Sequence, residues 1–201
     1  MALAVVTSIA LQVGTPHRGR VKEWWVFPLV EIVLLVVLVI LDPGRIDRRT
    51  AATRVVTMAL IILMTVGTFV AITVLAVDII NNEGVDSIAL LGRGAAVWFT
   101  NVIVFSLWYW ELDRGGAAER AAGSHVPPAF AFPENATPEL APDGWIPRYA
   151  DYLYLAFTNA TAFSPTDTLP VRVWAKMMMM AQAAVSLVTA ILVIARAING
   201  L

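Results

Sequence analysis

Residues 55–80 read VVTMALIILMTVGTFVAITVLAVDII, and no ionisable side chain interrupts them before Asp78. A helix rising ~1.5 Å per residue needs about 20 mostly apolar residues to cross a ~30 Å hydrocarbon layer, so this run spans one with some tilt. It closes at Asn81-Asn82-Glu83-Gly84, a turn signal. Thr57, Thr65, Thr68 and Thr73 are its internal polar positions.

Three further runs have the same character. Trp24 to Leu41 is interrupted only by Glu31 and is stopped by Asp42-Pro43-Gly44. Ala95 to Trp110 is shorter and carries Asn101; it ends on Trp108, Tyr109 and Trp110, side chains that prefer the headgroup boundary. Val173 to Ile198 passes through Met177–Met180, flexible apolar packing residues, and holds Gln182, Ser186 and Thr189. Ala2 to Val13 is too short to cross. Because Arg18, Arg20 and Lys22 come after that run instead of preceding it, a retained N-terminal helix is expected rather than a cleaved signal. The expected fold is therefore all-α: a polytopic transmembrane helix bundle with four strong spans and a short N-terminal helix.

The whole composition agrees. Of 201 residues 59% are hydrophobic and 14% charged, which excludes a water-soluble globule. A formal net charge of -1 provides no basic surface for nucleic acid. With no cysteine and only His17 and His125, disulfides, thiolate nucleophiles and common metal ligand sets are lacking, so no cofactor or metal is expected. Richness in Ala, Val and Arg with only Lys22 and Lys176 suggests a GC-rich bacterial genome, hence the inner membrane.

Three parts are read along the chain: helices over 1–111, a Pro-rich extramembrane loop over 112–150, and 151–201. The loop holds Pro127, Pro128, Pro133, Pro138, Pro142 and Pro147 without helical or alternating period. It reads as solvent-exposed, either a plain linker or a cap over the C-terminal part.

The most informative segment is Asp151 to Asp167, DYLYLAFTNATAFSPTD. Its apolar part is too short to cross and gives way to small polar residues, the pattern of a re-entrant helix that needs protein or a wet cavity around its backbone. Asp151 is placed to cap its start. Thr158, Asn159, Thr161, Ala162, Phe163, Ser164, Pro165, Thr166 and Asp167 form the candidate pore lining, with Asp167 as a cation-holding mouth. A purely structural turn explains the same small polar residues.

Phe157 to Asp167, then Pro170 and a long helix of small residues, resembles the pore helix, filter and inner helix of pore-loop potassium channels. Thr158, Thr161, Asp167 and Pro170 fit that pattern, while Ser164, Pro165 and Thr166 stand where the family has glycine, tyrosine and glycine. Pro165 is locked near φ ~-65°, so the filter is non-standard. The resemblance implies a homo-oligomer, a tetramer in that family, passing monovalent cations. Trp108–Trp110, Asp151–Tyr154, Phe157-Thr158 and Asp167 also resemble an uncharacterised family of bacterial membrane proteins with about five spans, to which no activity is attached.

Arg45, Arg48, Arg49 and Arg54 crowd one short loop, whereas the next holds Glu83, Asp86 and only Arg93. The first should face the cytoplasm. Counting onward puts the re-entrant segment on the cytoplasmic face, opposite to the potassium-channel arrangement.

Polar groups at membrane depth are costly and face the bundle interior. Glu31 is the foremost ion- or proton-site candidate; its bland reading is a structural partner for Asn101, Gln182 or Arg196. Asp78 and Glu111 lie near span ends and read as interfacial, and Arg196 can snorkel. Catalysis is not expected, since no pair of groups is spaced for acid–base work and Ser164 has no histidine partner in a span. The leading expectation is an oligomeric cation channel with a non-standard filter. A non-conducting assembly protein with a pore-loop-like fold, and a small transporter, are the alternatives.

Overall fold

The computed structural model describes residues 1–14, 25–41, 51–80, 87–123, 125–137, 139, 141–162 and 167–199. It is an all-α bundle. In chain order come α1 (Ala2–Gly14), α2 (Val26–Leu41), α3 (Ala51–Ile80), α4 (Ser87–Leu112), a tight turn over Asp113–Gly115, α5 (Ala117–Ala121), β1 (Phe130–Ala131), α6 (Pro133–Ala136), α7 (Tyr149–Ala162), β2 (Leu169–Pro170) and α8 (Val173–Asn199).

Among the described residues, three helices are long and apolar enough to cross a membrane: Ala52–Ile80, Ile88–Gly115 and Val173–Ala195. The protein is therefore a membrane protein. The expected first strong span is represented by α2, whose 16 residues fall short of that length; Trp24 and the stop signal Asp42-Pro43-Gly44 lie outside the described residues. In contrast, α4 is longer than the expected Ala95–Trp110 and takes in Gly92 and Gly94. Gly94 is there for a close approach: a Cβ on it would stand 2.3 Å from Cγ2 of Val193, so only a glycine lets α4 and α8 cross at this distance. The arginine cluster at 45–49, Glu83 and Asp86, and the side chain of Arg196 also lie outside the described residues.

Two large apolar cores, beside a small third of Leu75, Leu90 and Val193, divide the bundle. Val5 and Ile9 of α1, Leu60, Ile61 and Met64 of α3, and Ile103, Val104 and Leu107 of α4 form one. The other joins Phe105 and Tyr109 of α4, Phe130 and Phe132, Tyr152, Leu155 and Ala156 of α7, and Ala175 and Met179 of α8. One helix, α4, thus serves both cores from opposite faces. Beyond them, Asp78 near the end of α3 and Arg93 in the first turns of α4 make an ion pair of 3.3 Å.

The Pro-rich stretch is a folded cap. Arg114, Gly115 and Gly116 take positive φ in succession (49°, 78° and 99°), turning the chain back over the end of α4. Phe130 and Phe132 then bury themselves against Tyr152, with ring centroids 6.3 and 5.3 Å apart. β1 pairs antiparallel with β2, Phe130 opposite Pro170 and Ala131 opposite Leu169, and the Val171 amide donates to the Ala129 carbonyl at 2.8 Å. A two-residue ladder has no period to read in the sequence.

Under the cap lies Asp113, fully buried. One carboxylate oxygen accepts from the Ala129 amide at 2.7 Å and the other from the Tyr152 hydroxyl at 2.5 Å. Arg120 donates to the carbonyls of Trp110 and Asp113 at 2.7 and 2.8 Å, and its guanidinium lies 4.1 Å from the centre of the Trp110 ring. Burial lowers the Arg120 guanidinium from its ordinary value, while Tyr152 and Asp113 act against that shift. Burial also raises the Tyr152 hydroxyl above the usual phenol range.

Candidate functional site

Helix α7 descends beside α4 and α8 from the capped end. Its start is fixed by Asp151, whose carboxylate accepts from the Arg148 amide at 2.6 Å, a side chain three residues on satisfying the amide before the helix. Trp110 packs on Tyr149 and Tyr152 near that start, and Trp98, deeper in α4, packs on Phe157 at 5.7 Å. So α7 runs antiparallel to α4. The chain is back under the cap at β2, beside Phe130, so the segment goes in and comes out at the same end of the bundle.

At the deep end of α7 the predicted residues Asn159, Asn101 and Gln182 come together. Gln182 is completely buried. Its side-chain carbonyl accepts from the Tyr109 hydroxyl at 2.7 Å and from the Asn159 amide at 2.9 Å, while its own amide donates to the Ala156 carbonyl at 2.8 Å. Asn159 also donates to the Met179 carbonyl at 3.0 Å. Asn101 donates to the Ser186 hydroxyl at 3.0 Å. Buried amides with several partners hold helices in one register, because every displacement leaves a polar group unmatched in an apolar medium. This node ties α4, α7 and α8 together.

The other candidate pore residues have a different setting. Thr158 and Thr161 return their hydroxyls to their own helix, at Tyr154 and Phe157 respectively, 3.0 and 2.9 Å away. Ala162 and Asp167 are exposed, and Asp167 stands just before β2 at the capped end. Phe163, Ser164, Pro165 and Thr166 lie outside the described residues.

Glu31 is found far from that node. Its expected partners Asn101 and Gln182 belong to the α4–α7–α8 contact; the group that meets Glu31 is Gln12 of α1, whose side-chain amide lies 2.9 and 3.2 Å from the two carboxyl oxygens. Glu31 is completely buried, facing α1 and α3 across the small surface of Gly67. The reason for the misplacement is topological: α1 is too short to be read as a span, yet it packs on α2 and α4 inside the bundle.

Sequence reasoning missed Gln12, Tyr109 as a hydrogen-bond donor, and the Asp113–Arg120–Tyr152 set. Asp113 carried the clearest signal, an acid three residues beyond the aromatic cluster at a span end. Among the described residues no group of three His, Cys, Asp or Glu side chains is placed to hold a metal ion. An open cleft of about 410 Å³ on the cap is lined by Arg114, His125, Pro127 and Asn135. Comparison with protein-family models, curated proteins and solved structures finds no match for this chain.

Proposed function

We propose that this chain is a channel-like protein of the bacterial inner membrane, in which several copies, four by the resemblance to pore-loop channels, surround a path for monovalent cations. One observation carries the reading: between two helices of membrane length, α7 goes in and the chain returns to the same capped end, the course a pore loop takes. Asp167 lies exposed at that end, where a carboxylate raises the local cation concentration.

A second reading, a non-conducting assembly protein, is favoured by the node itself. Asn159, the most buried polar residue of α7, gives its amide hydrogens to Met179 and Gln182 of its own chain. In the channel reading Asn159 is therefore scaffold, and the polar lining comes from the residues after it.

The test is ion flux from liposomes holding the purified full-length protein. The expected result is cation flux that Asp167→Asn reduces several-fold while the particle stays oligomeric. A monomer without flux at any protein-to-lipid ratio overturns the channel reading in favour of the second.

A further inference from the structure

Glu31 is a completely buried acid that the proposed path does not use, and unlike Asp78, which pairs with Arg93, it meets no charged group among the described residues. It projects from α2 on the stripe shared with Pro28, while Leu29, Val30, Ile32 and Val33 on the other faces are exposed. It thus faces inward between α1 and α3, the helices that pack on α2.

Among the described residues, the surroundings hold little that matches a carboxylate. Its hydrogen-bond partner is the neutral side-chain amide of Gln12. Phe27, Glu31 and Gln12 all approach Gly67, where an added Cβ would lie 3.6–3.9 Å from them. Among the described residues of α1 no side chain ionises, and the amino group of Met1 is at the far end of that helix. In α3 the ionisable side chains are Arg54 and Asp78, 13 and 11 residues from Gly67, or roughly 16–20 Å along the axis.

A dehydrated alkali cation needs about six or more oxygen ligands, and this contact brings two carboxyl oxygens, the Gln12 carbonyl and, 3.5 Å from the Gln12 amide, the Ser8 hydroxyl. A proton needs only one oxygen. Transfer of a bare carboxylate into apolar surroundings is so costly that such a group neutralises unless a cation or several donors meet it.

We propose that Glu31 is a proton-binding site in the α1–α2–α3 part of the bundle, with Gln12 as the amide that holds the carboxylic acid and its conjugate base in place. The proton is exchanged with water, and the site is independent of the cation path, whose residues all belong to α7 and the chain after it. If no flux is found, the proton site still stands or falls by its own measurement.

The measurement is infrared difference spectroscopy of the full-length protein in lipid nanodiscs, wild type against Glu31→Gln, across about pH 5 to 9, the range in which perturbed carboxyls and imidazoles titrate. The expected spectrum shows a carboxylic-acid C=O band in wild type that is absent from Glu31→Gln, shifts down in heavy water, and gives way to carboxylate bands as pH rises. Gln12→Leu keeps the acid but removes its amide, so the same band should appear at higher frequency. This second variant keeps the test open if Glu31→Gln fails to fold. Carboxylate bands throughout the range overturn the proposal, and so does an acid band that neither titrates nor responds to heavy water.

Discussion

Two of the regions in which the bundle buries polar side chains are built on opposite terms. Around Gln182, neutral amides and a phenol meet backbone carbonyls and one another, and three chemically distinct hydrogen bonds end on one side chain. Around Glu31, one acid meets one amide. Neutral hydrogen-bond networks act as glue between helices; an acid with a single neutral partner keeps a choice between two protonation states. The first region is suited to fixing a geometry, the second to changing its charge.

The largest expected effect comes from breaking the region around Gln182. Gln182→Leu leaves the Tyr109 hydroxyl, the Asn159 amide and the Ala156 carbonyl without their partner, and should cost about 3 kcal/mol, read from thermal unfolding in detergent. Next is the helix crossing beside it. Gly94→Ala drives a methyl group into Val193 and should cost about 2 kcal/mol, with partial recovery in a Gly94→Ala, Val193→Ala double variant. Gly92, with nothing near its Cβ position, makes the contrast: Gly92→Ala should be neutral or stabilising by up to about 1 kcal/mol.

The cap comes third. Tyr152→Phe removes one of the two bonds to the buried Asp113 carboxylate, for about 1 kcal/mol or somewhat more. The sensitive readout is protease cleavage within residues 125–148, which should accelerate while the helices stay intact. Because the folded phenol is held above its ordinary value, this contribution is fully present below about pH 10 and is lost as pH rises beyond it, so wild-type cleavage should approach that of Tyr152→Phe in strong alkali. The smallest effect belongs to the second region. Glu31→Gln puts a neutral isostere where a proton-bearing acid sits, and should change stability by less than about 0.5 kcal/mol; a loss of several kcal/mol would mean the native group is an ion paired in place.

The legible and illegible parts of the fold differ in what their signal depends on. The long helices are visible because α3 and α8 carry apolar runs whose length alone decides the matter. α4 reads as shorter than it is because Gly92, Arg93 and Gly94 look like a terminus, and only the neighbouring α8 shows why a glycine belongs there. Phe130 and Phe132 give no periodic signal, since their burial is set by Tyr152, twenty or more residues away, and by a ladder two residues long. Asn101 and Gln182 are legible as buried polar residues. Their meeting with Asn159 is not, because a single apolar helix does not disclose which of its faces meets which neighbour.

The Gln182 node has a consequence for how the chain is made. The Ala156 carbonyl and the Asn159 amide lie 26 and 23 residues ahead of the side chain that satisfies them. While α7 leaves the ribosome, its partner at membrane depth does not yet exist, and it is too short to span alone. α7 reaches its place only once α8 has been made, so that the helix translated next decides when the one before it settles against α4.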